Sequence, residues 1–224
     1  MGYNIAIDGP AGAGKSTIAK LVAKRLGFIY VDTGAIYRAL AIHFLKKGLT
    51  SQDTEEIKKS CKEASVRLEY QEGVQHVYLN DEDVTGMLRE EAVGNMASVS
   101  SAIAEVRAQL LELQRNMAKC NDVVMDGRDI GTNILPNADV KIYLTASVEE
   151  RARRRFVELQ QQGKPCDFES IASDIQERDQ RDMNREIAPL KRAEDAVFVD
   201  SSNMTIDEVV DTIIALCQQK IYKG

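Results

Sequence analysis

Gly9-Pro10-Ala11-Gly12-Ala13-Gly14-Lys15-Ser16 decides how the rest of the chain is read. Two glycines bracket four residues and are followed by Lys and Ser, which is the pattern of a phosphate-binding loop. The flanks fit. Asn4 to Asp8 is a short apolar run that reads as a strand, and Lys15 to Leu26 sets Ile18, Leu21, Val22 and Leu26 on one helical face before Gly27 stops it. Glycines let the backbone curl so that several N–H groups point at one phosphate, and the helix N-terminus adds its partial positive charge. Lys15 reaches the outer phosphates and Ser16 is placed to ligate Mg²⁺. A tight turn that happens to precede Lys explains neither residue. The expected ligand is a nucleoside triphosphate with Mg²⁺, held by Gly9, Pro10, Ala11, Gly12, Ala13, Gly14, Lys15, Ser16 and Thr17.

Outward from the loop, the alternation repeats. Phe28 to Val31 reads as a strand and Ala35 to Leu45 as a helix, and Asp122 to Asp126 and Val140 to Thr145 read as further strands. A last strand, Val197 to Val199, precedes a helix from Thr205 to about Cys217. Five strands separated by helical stretches predict an α/β fold, a parallel sheet with helices on both faces. One stretch breaks the rhythm. Val66 to Tyr70 and Val74 to Leu79 alternate in type, turn through Glu72 and Gly73, and lead to a strand-like piece around Val84, which predicts an antiparallel insert. Helices over Glu55 to Ala64 and Glu91 to Met117 are expected to tie it to the main sheet. A length of 224 residues suits one such domain, with its core at about 1–60, 100–150 and 186–224, the insert at about 61–100 and a helical lid at about 151–185.

Composition narrows the partners. With 44% hydrophobic and 29% charged residues the chain reads as an ordinary folded protein. A formal net charge of −6 and the lack of any Trp argue against nucleic acid and anionic membrane as partners. Any anion must therefore meet a local cationic pocket. Cys61, Cys120, Cys166 and Cys217, with only His43 and His76 beside them, show no zinc-ligand spacing. No run approaches 18 uninterrupted apolar residues, and Met1 leads straight into the first strand, so the expected location is the cytoplasm. Nothing in the sequence demands more than a monomer.

Three further clusters begin where strands end, the edge at which open parallel sheets bind ligands. Asp32-Thr33-Gly34-Ala35-Ile36-Tyr37-Arg38 opens a helix; capping by Asp32 or Thr33 accounts for its start but not for Tyr37 and Arg38. Asp126-Gly127-Arg128-Asp129 offers a turn close to a ligand and a fork suited to phosphate, and on its residues alone reads equally as an acidic turn with a structural ion pair. In the helix from Phe168 to Arg185, Ile171 and Ile175 set the inward face, and the same stripe continues to Arg178, Asp182 and Arg185. A core-facing stripe that turns charged points to an anion. Upstream, Arg151, Arg153, Arg154 and Arg155 precede Gly163. They fit a mobile hairpin closing over phosphates, or charge solvated beside Glu149, Glu150 and Glu158.

These motifs in this order resemble the nucleoside monophosphate kinases, and the likeness to the bacterial cytidylate kinase family runs over nearly the whole chain, insert included. Thr33 stands where related sequences often have Ser, and Ser16 where some have Gly. The resemblance implies transfer of the γ-phosphoryl group of ATP to CMP, with dCMP a second acceptor and UMP a poor one, in pyrimidine nucleotide metabolism. It implies that Asp129 accepts a hydrogen bond from cytosine N4 while Ser98 and Arg107 serve the other ring acceptors. Without it, Ser98 reads as a helix-side hydroxyl and Arg107 as a surface arginine. It further implies that Arg38, Arg128 and Arg185 clamp the monophosphate, and that Arg178 and Asp182 meet its ribose and the hairpin. Thr33, Tyr37 and Asp126 then complete the acceptor site. Lys15, Arg128 and Arg185 become the catalytic charges, and Arg151, Arg154 and Arg155 the lid. Two alternatives stand beside this. A kinase of the same fold for UMP or a shikimate-like acceptor would not need Ser98, Arg107 and Asp129 together. A nucleotide-binding switch would be expected to carry Asn-Lys-x-Asp, which is absent.

Overall fold

In a computed structural model that describes residues 2–221, the chain runs β1 (Asn4–Asp8), α1 (Lys15–Leu26), β2 (Ile29–Asp32), α2 (Thr33–Lys46), α3 (Thr54–Ser60), β3 (Val66–Gln71), β4 (Val74–Leu79) and β5 (Glu82–Asp83). It continues through α4 (Glu91–Ser100), α5 (Ala104–Cys120), β6 (Val123–Gly127), β7 (Val140–Thr145), α6 (Val148–Gln161), α7 (Phe168–Asn184), β8 (Val197–Asp200) and α8 (Ile206–Ile221). Met1 and residues 222–224, the ends of the single-chain assignment, lie outside the described residues.

The five expected strands form one parallel sheet in the order β2-β6-β1-β7-β8. Both of its faces are covered, which is why its strands read as nearly unbroken apolar runs. Ile5, Ile7, Val124, Ile142 and Leu144 pack against Ile18 and Val22 of α1 and Val210 and Ile213 of α8. Ala6, Val31 and Met125 face Ala118 of α5 and the segment Ile130–Ile134, a single π-helical turn after β6. Each such Val, Leu, Ile or Met side chain contributes roughly 1.5–3 kcal/mol through its burial. Register aligns the strand ends: Asp8 lies beside Gly127 and Tyr143, and Asp32 beside Asp126. The loops after β1, β2 and β6 therefore leave the sheet at one edge, side by side.

The insert is the antiparallel sheet β3-β4-β5, turning at Glu72 (φ 51°) and Gly73 (φ 77°). Val77 and Leu79 join Leu40 and Phe44 of α2 and Val106 and Leu110 of α5 in one core. Its hairpin also grips the end of β2. Tyr70 donates from its hydroxyl to the Tyr30 carbonyl at 3.0 Å, and the Asp32 N–H donates to Gln75 Oε1 at 2.9 Å.

Two expected helices differ. The run from Glu91 to Met117 is broken into α4 and α5, because Ser101 turns its hydroxyl back to the Ser98 carbonyl at 3.0 Å and Ile103 is extended (φ −84°, ψ 128°). Side-chain bonds of this kind compete with the helical ladder. The helix expected to reach Ala64 ends at Ser60 and continues only as the 3-10 turn Cys61–Glu63. In α7 the expected inward face of Ile171 and Ile175 holds, packed on α6. Ala152, Ile171 and Ile175 form a small core of their own, flanked by Phe156 and Phe168, whose rings meet edge to face at 6.2 Å.

Candidate active site

The loop after β1 is shaped by glycines that a larger residue could not replace. Gly9 has φ 153°, and a Cβ there would lie 1.9 Å from the Leu144 carbonyl oxygen on the neighbouring strand. Gly9→Ala is expected to cost about 3 kcal/mol or more of stability, from overpacking and backbone strain together, and a denaturant titration measures it. A loss below about 0.5 kcal/mol would mean that the loop shifts freely.

Helix α1 opens after Gly14 (φ 84°) with no side-chain cap, so its first N–H groups are left for a ligand. Lys15 is buried and donates from Nζ to the Pro10 carbonyl at 2.7 Å. Burial, and after it the Arg128 guanidinium, holds its ammonium well below the usual lysine value. Beside it, Ser16 donates from Oγ to Asp126 Oδ2 at 3.0 Å, and the Tyr30 hydroxyl donates to Asp126 Oδ1 at 2.9 Å. Burial first, then the charge of Asp32, pushes the Asp126 carboxyl up to about 6. Asp126, next to last in β6 between β1 and β2, thus bonds through its carboxylate to the first turn of α1 and to β2. Only its backbone carbonyl meets Thr33, accepting from Oγ1 at 2.8 Å.

Asp8, the last residue of β1, fixes the next segment. Its two oxygens accept from the N–H groups of Ile130 and Gly131, both at 2.8 Å. Burial nevertheless pushes its carboxyl up to about 6. Held in this way, the turn after β6 presents Asp129 to three donors. Arg107 is paired with Oδ2, Asn133 Nδ2 donates to the same oxygen at 3.0 Å, and Arg185 Nη2 donates to Oδ1 at 3.2 Å. Arg107 is only 7% exposed and is no surface arginine. Its guanidinium stands 5.5 Å from the centre of the Tyr37 ring, and Nη1 donates to the Ser101 carbonyl at 3.1 Å, so the break between α4 and α5 gives it an anchor.

From α7, Asp182 accepts from Arg128 Nε at 2.9 Å. Arg185 donates from Nε to the Ala188 carbonyl at 2.6 Å. Arg178 keeps a buried Nε without a partner, and burial followed by the nearby Arg128 charge lowers it to about 10. Arg38 and Arg181 press on it as well. Arg38, Arg107, Arg128, Arg178 and Arg185 thus gather around Asp129 and Asp182, a positive excess in an acidic protein. On α4, Ser98 keeps its Oγ buried and unpartnered, as does Ser100 two residues on.

The three arginines expected to form a lid separate. Arg151 is buried: Nε donates to the Ala146 carbonyl at 2.9 Å, and Nη1 donates to Ala11 O at 2.8 Å and to Asp179 Oδ2 at 2.6 Å. Arg154 donates from Nη2 to the Ser201 carbonyl at 2.8 Å and borders the phosphate loop, 3.7 Å from where a Cβ on Gly14 would stand. Arg155 is exposed and pairs with Glu158 at 2.7 Å, a solvated pair one turn beyond the loop. Asp179 had no expected role. The signal for it was present, since it sits four residues after Ile175 on the stripe that turns charged.

Against known proteins, a sequence profile described as Cytidylate kinase matches residues 5–219. The cytidylate kinase of Caldicellulosiruptor bescii is 49% identical over 213 residues, covering 95% of this chain and 94% of that protein. That of Exiguobacterium sp. is 50% identical over 215 residues and 96% of each chain. A crystal structure of an uncharacterized protein from Eubacterium ventriosum superposes with a TM-score of 0.54 at 12% identity, over 96% of this chain and 97% of that one, and shares the fold alone.

Proposed function

The chain belongs to the cytidylate kinase family and is a nucleoside monophosphate kinase that phosphorylates CMP with ATP; on that premise we propose how its residues divide the reaction. One observation carries the assignment. Five guanidinium groups collect near the sheet edge, Arg128 and Arg178 of them next to Lys15, and the carboxylates of Asp129 and Asp182 among them are already paired.

The donor triphosphate lies on the loop from Gly9 to Thr17, with Lys15 leaving the Pro10 carbonyl for the outer phosphates. Arg38, Arg128 and Arg185 hold the acceptor phosphate, and Arg178 and Asp182 meet its ribose. An oxygen of CMP attacks the γ-phosphorus, and the bond from that phosphorus to the bridging oxygen of ADP breaks. Phosphate oxygen is a competent nucleophile without a strong base, so the protein contributes position and charge. Neutralising the acceptor lets two anions approach, and Lys15, Arg128 and Arg185 take up the charge that spreads over the transferred group.

Base selection rests on Asp129. A carboxylate offers about four acceptor sites, and Arg107, Arg185 and Asn133 occupy three. The remaining site accepts from cytosine N4 and repels the carbonyl that uracil presents there. Ser98 and Arg107 serve the other ring acceptors, and Tyr37 and Thr33 support the wall. dCMP is a second acceptor.

Mg²⁺ suits the donor set. Ser16 Oγ beside the buried Asp126, with Asp32 near it, supplies hard oxygen atoms but no all-protein cage; no cluster of three His, Cys, Asp or Glu that could hold a metal occurs among the described residues. That fits a cation that keeps waters and borrows phosphate oxygens. When bound, it would neutralise the phosphate chain, and Ser16 and Asp126 would hold it.

The segment from about 151 to 185 acts as a lid that excludes water, and 61–100 as the acceptor-binding insert. The protein works as a cytoplasmic monomer on small substrates in pyrimidine nucleotide metabolism, without nucleic acid or membrane; no helix among the described residues is long and apolar enough to cross a bilayer. A coupled ADP-release assay with ATP and Mg²⁺ against CMP, dCMP, UMP, AMP, GMP and shikimate tests the reading. CMP and dCMP are expected to lead UMP by roughly tenfold or more in kcat/KM. A flat response over slow hydrolysis would instead favour a nucleotide switch.

A further inference from the structure

We propose that Arg151 and Asp179 form a clasp that fixes the backbone of Ala11 and thereby sets the ATP phosphate cradle. Ala11 belongs to the phosphate loop, but neither of its backbone polar groups is free for a phosphate. Its N–H donates to Asp179 Oδ1 at 3.2 Å, and its carbonyl accepts from Arg151 Nη1 at 2.8 Å. The same Nη1 donates to Asp179 Oδ2 at 2.6 Å, so three bonds close a ring around one residue of the loop. Arg151 is 4% exposed and Asp179 7%. The next residue is held too: a Cβ on Gly12 (φ 73°) would stand 3.3 Å from Arg151 Cβ. The cradle is left to the N–H groups that come after Ala11 and open α1.

The two clasp residues come from different helices, Arg151 from α6 and Asp179 from α7. These helices also carry Arg154 beside Gly14, and Arg178 and Asp182 in the acceptor cluster. One ring therefore keeps the donor loop in register with the hairpin that borders both substrates. Buried ion pairs add little net stability relative to apolar residues of similar volume. What this pair adds is direction, since its forked donor and two-oxygen acceptor match the N–H and C=O of a single residue. Arg151 and Asp179 act through Ala11 and are positioning residues.

The inference rests on reading residues 9–16 as the ATP phosphate site. The test uses the full chain with Arg151→Met, Arg151→Lys and Asp179→Asn, following KM for ATP, kcat, thermal unfolding, and the affinities for ADP and CMP by calorimetry. Arg151→Met and Asp179→Asn are expected to raise KM for ATP and Kd for ADP about tenfold or more, with Kd for CMP within about twofold. Arg151→Lys keeps a donor toward the Ala11 carbonyl and is expected to recover part of the loss. Unchanged ADP affinity in variants whose melting temperature falls would overturn the clasp and leave a structural ion pair. If Arg151→Met does not fold, Asp179→Asn, nearly the same shape, carries the test alone. Wild-type protein that failed to bind ADP would instead sink the phosphate-loop reading.

Discussion

Lys15→Met is expected to lower kcat with CMP by about a thousandfold, roughly 4 kcal/mol of transition-state stabilisation, while the ligand-free protein melts no lower than wild type. The two halves of that result come from the same geometry. In the ligand-free site the ammonium is buried, has one hydrogen bond to the Pro10 carbonyl, and feels Arg128 and Arg178 against Asp126 and Asp8. Burial and Arg128 outweigh the two carboxylates, so its charged form is less favourable than in water. Methionine keeps most of the aliphatic stem and removes the charge, so it relieves that repulsion and loses the one interaction the transferred phosphoryl group requires. ATP with Mg²⁺ is expected to raise the melting temperature of wild type far more than that of the variant. Turnover within tenfold of wild type would contradict the phosphate-loop assignment, and a large loss of ligand-free stability would make Lys15 a structural residue.

What the sequence made legible was local or periodic. The phosphate loop is eight consecutive residues between a strand and a helix, and the sheet strands are runs that need no knowledge of their neighbours. The stripe of Ile171 and Ile175 turning charged was readable because α7 buries that face on α6. Illegible features depend on what lies across a tertiary gap. Arg107 meets Asp129 only because α5 packs beside Tyr37 and the π-helical turn after β6, so a residue that reads as surface becomes buried. Asp126 turns to Ser16 and Tyr30 because β6 is inserted between β1 and β2, a strand order that no local pattern encodes. Arg151 and Arg155 carry the same side chain one turn apart. The first reaches the loop and is locked by it, and the second has passed beyond it and finds Glu158. Rise along a helix decided between them, and sequence gives that only once the docking of the helix is known.

Asp129→Asn separates base reading from framework. The variant keeps one acceptor oxygen and gains an amide donor, so it no longer opposes the carbonyl that uracil presents where cytosine has its amino group. The preference for CMP over UMP in kcat/KM is expected to fall by roughly 1–3 kcal/mol, about fivefold to 150-fold. A second effect accompanies it. Arg107 and Arg185 both lean on this carboxylate, and their side chains are 7% and 6% exposed. Removing the charge leaves buried guanidinium groups under-compensated, which typically costs about 3–5 kcal/mol of stability. The two consequences do not confound each other, because the fraction of folded enzyme cancels in a ratio of two efficiencies measured on one preparation. Denaturant unfolding reports the framework term, and the CMP-to-UMP ratio reports recognition. A variant that loses stability while keeping the wild-type ratio would reduce Asp129 to the counter-ion of two arginines, and discrimination would then have to come from Ser98 and the shape of the wall. A changed ratio is what base reading at this carboxylate requires, whether through its fourth acceptor site or through Arg107, which Asp129 holds in place.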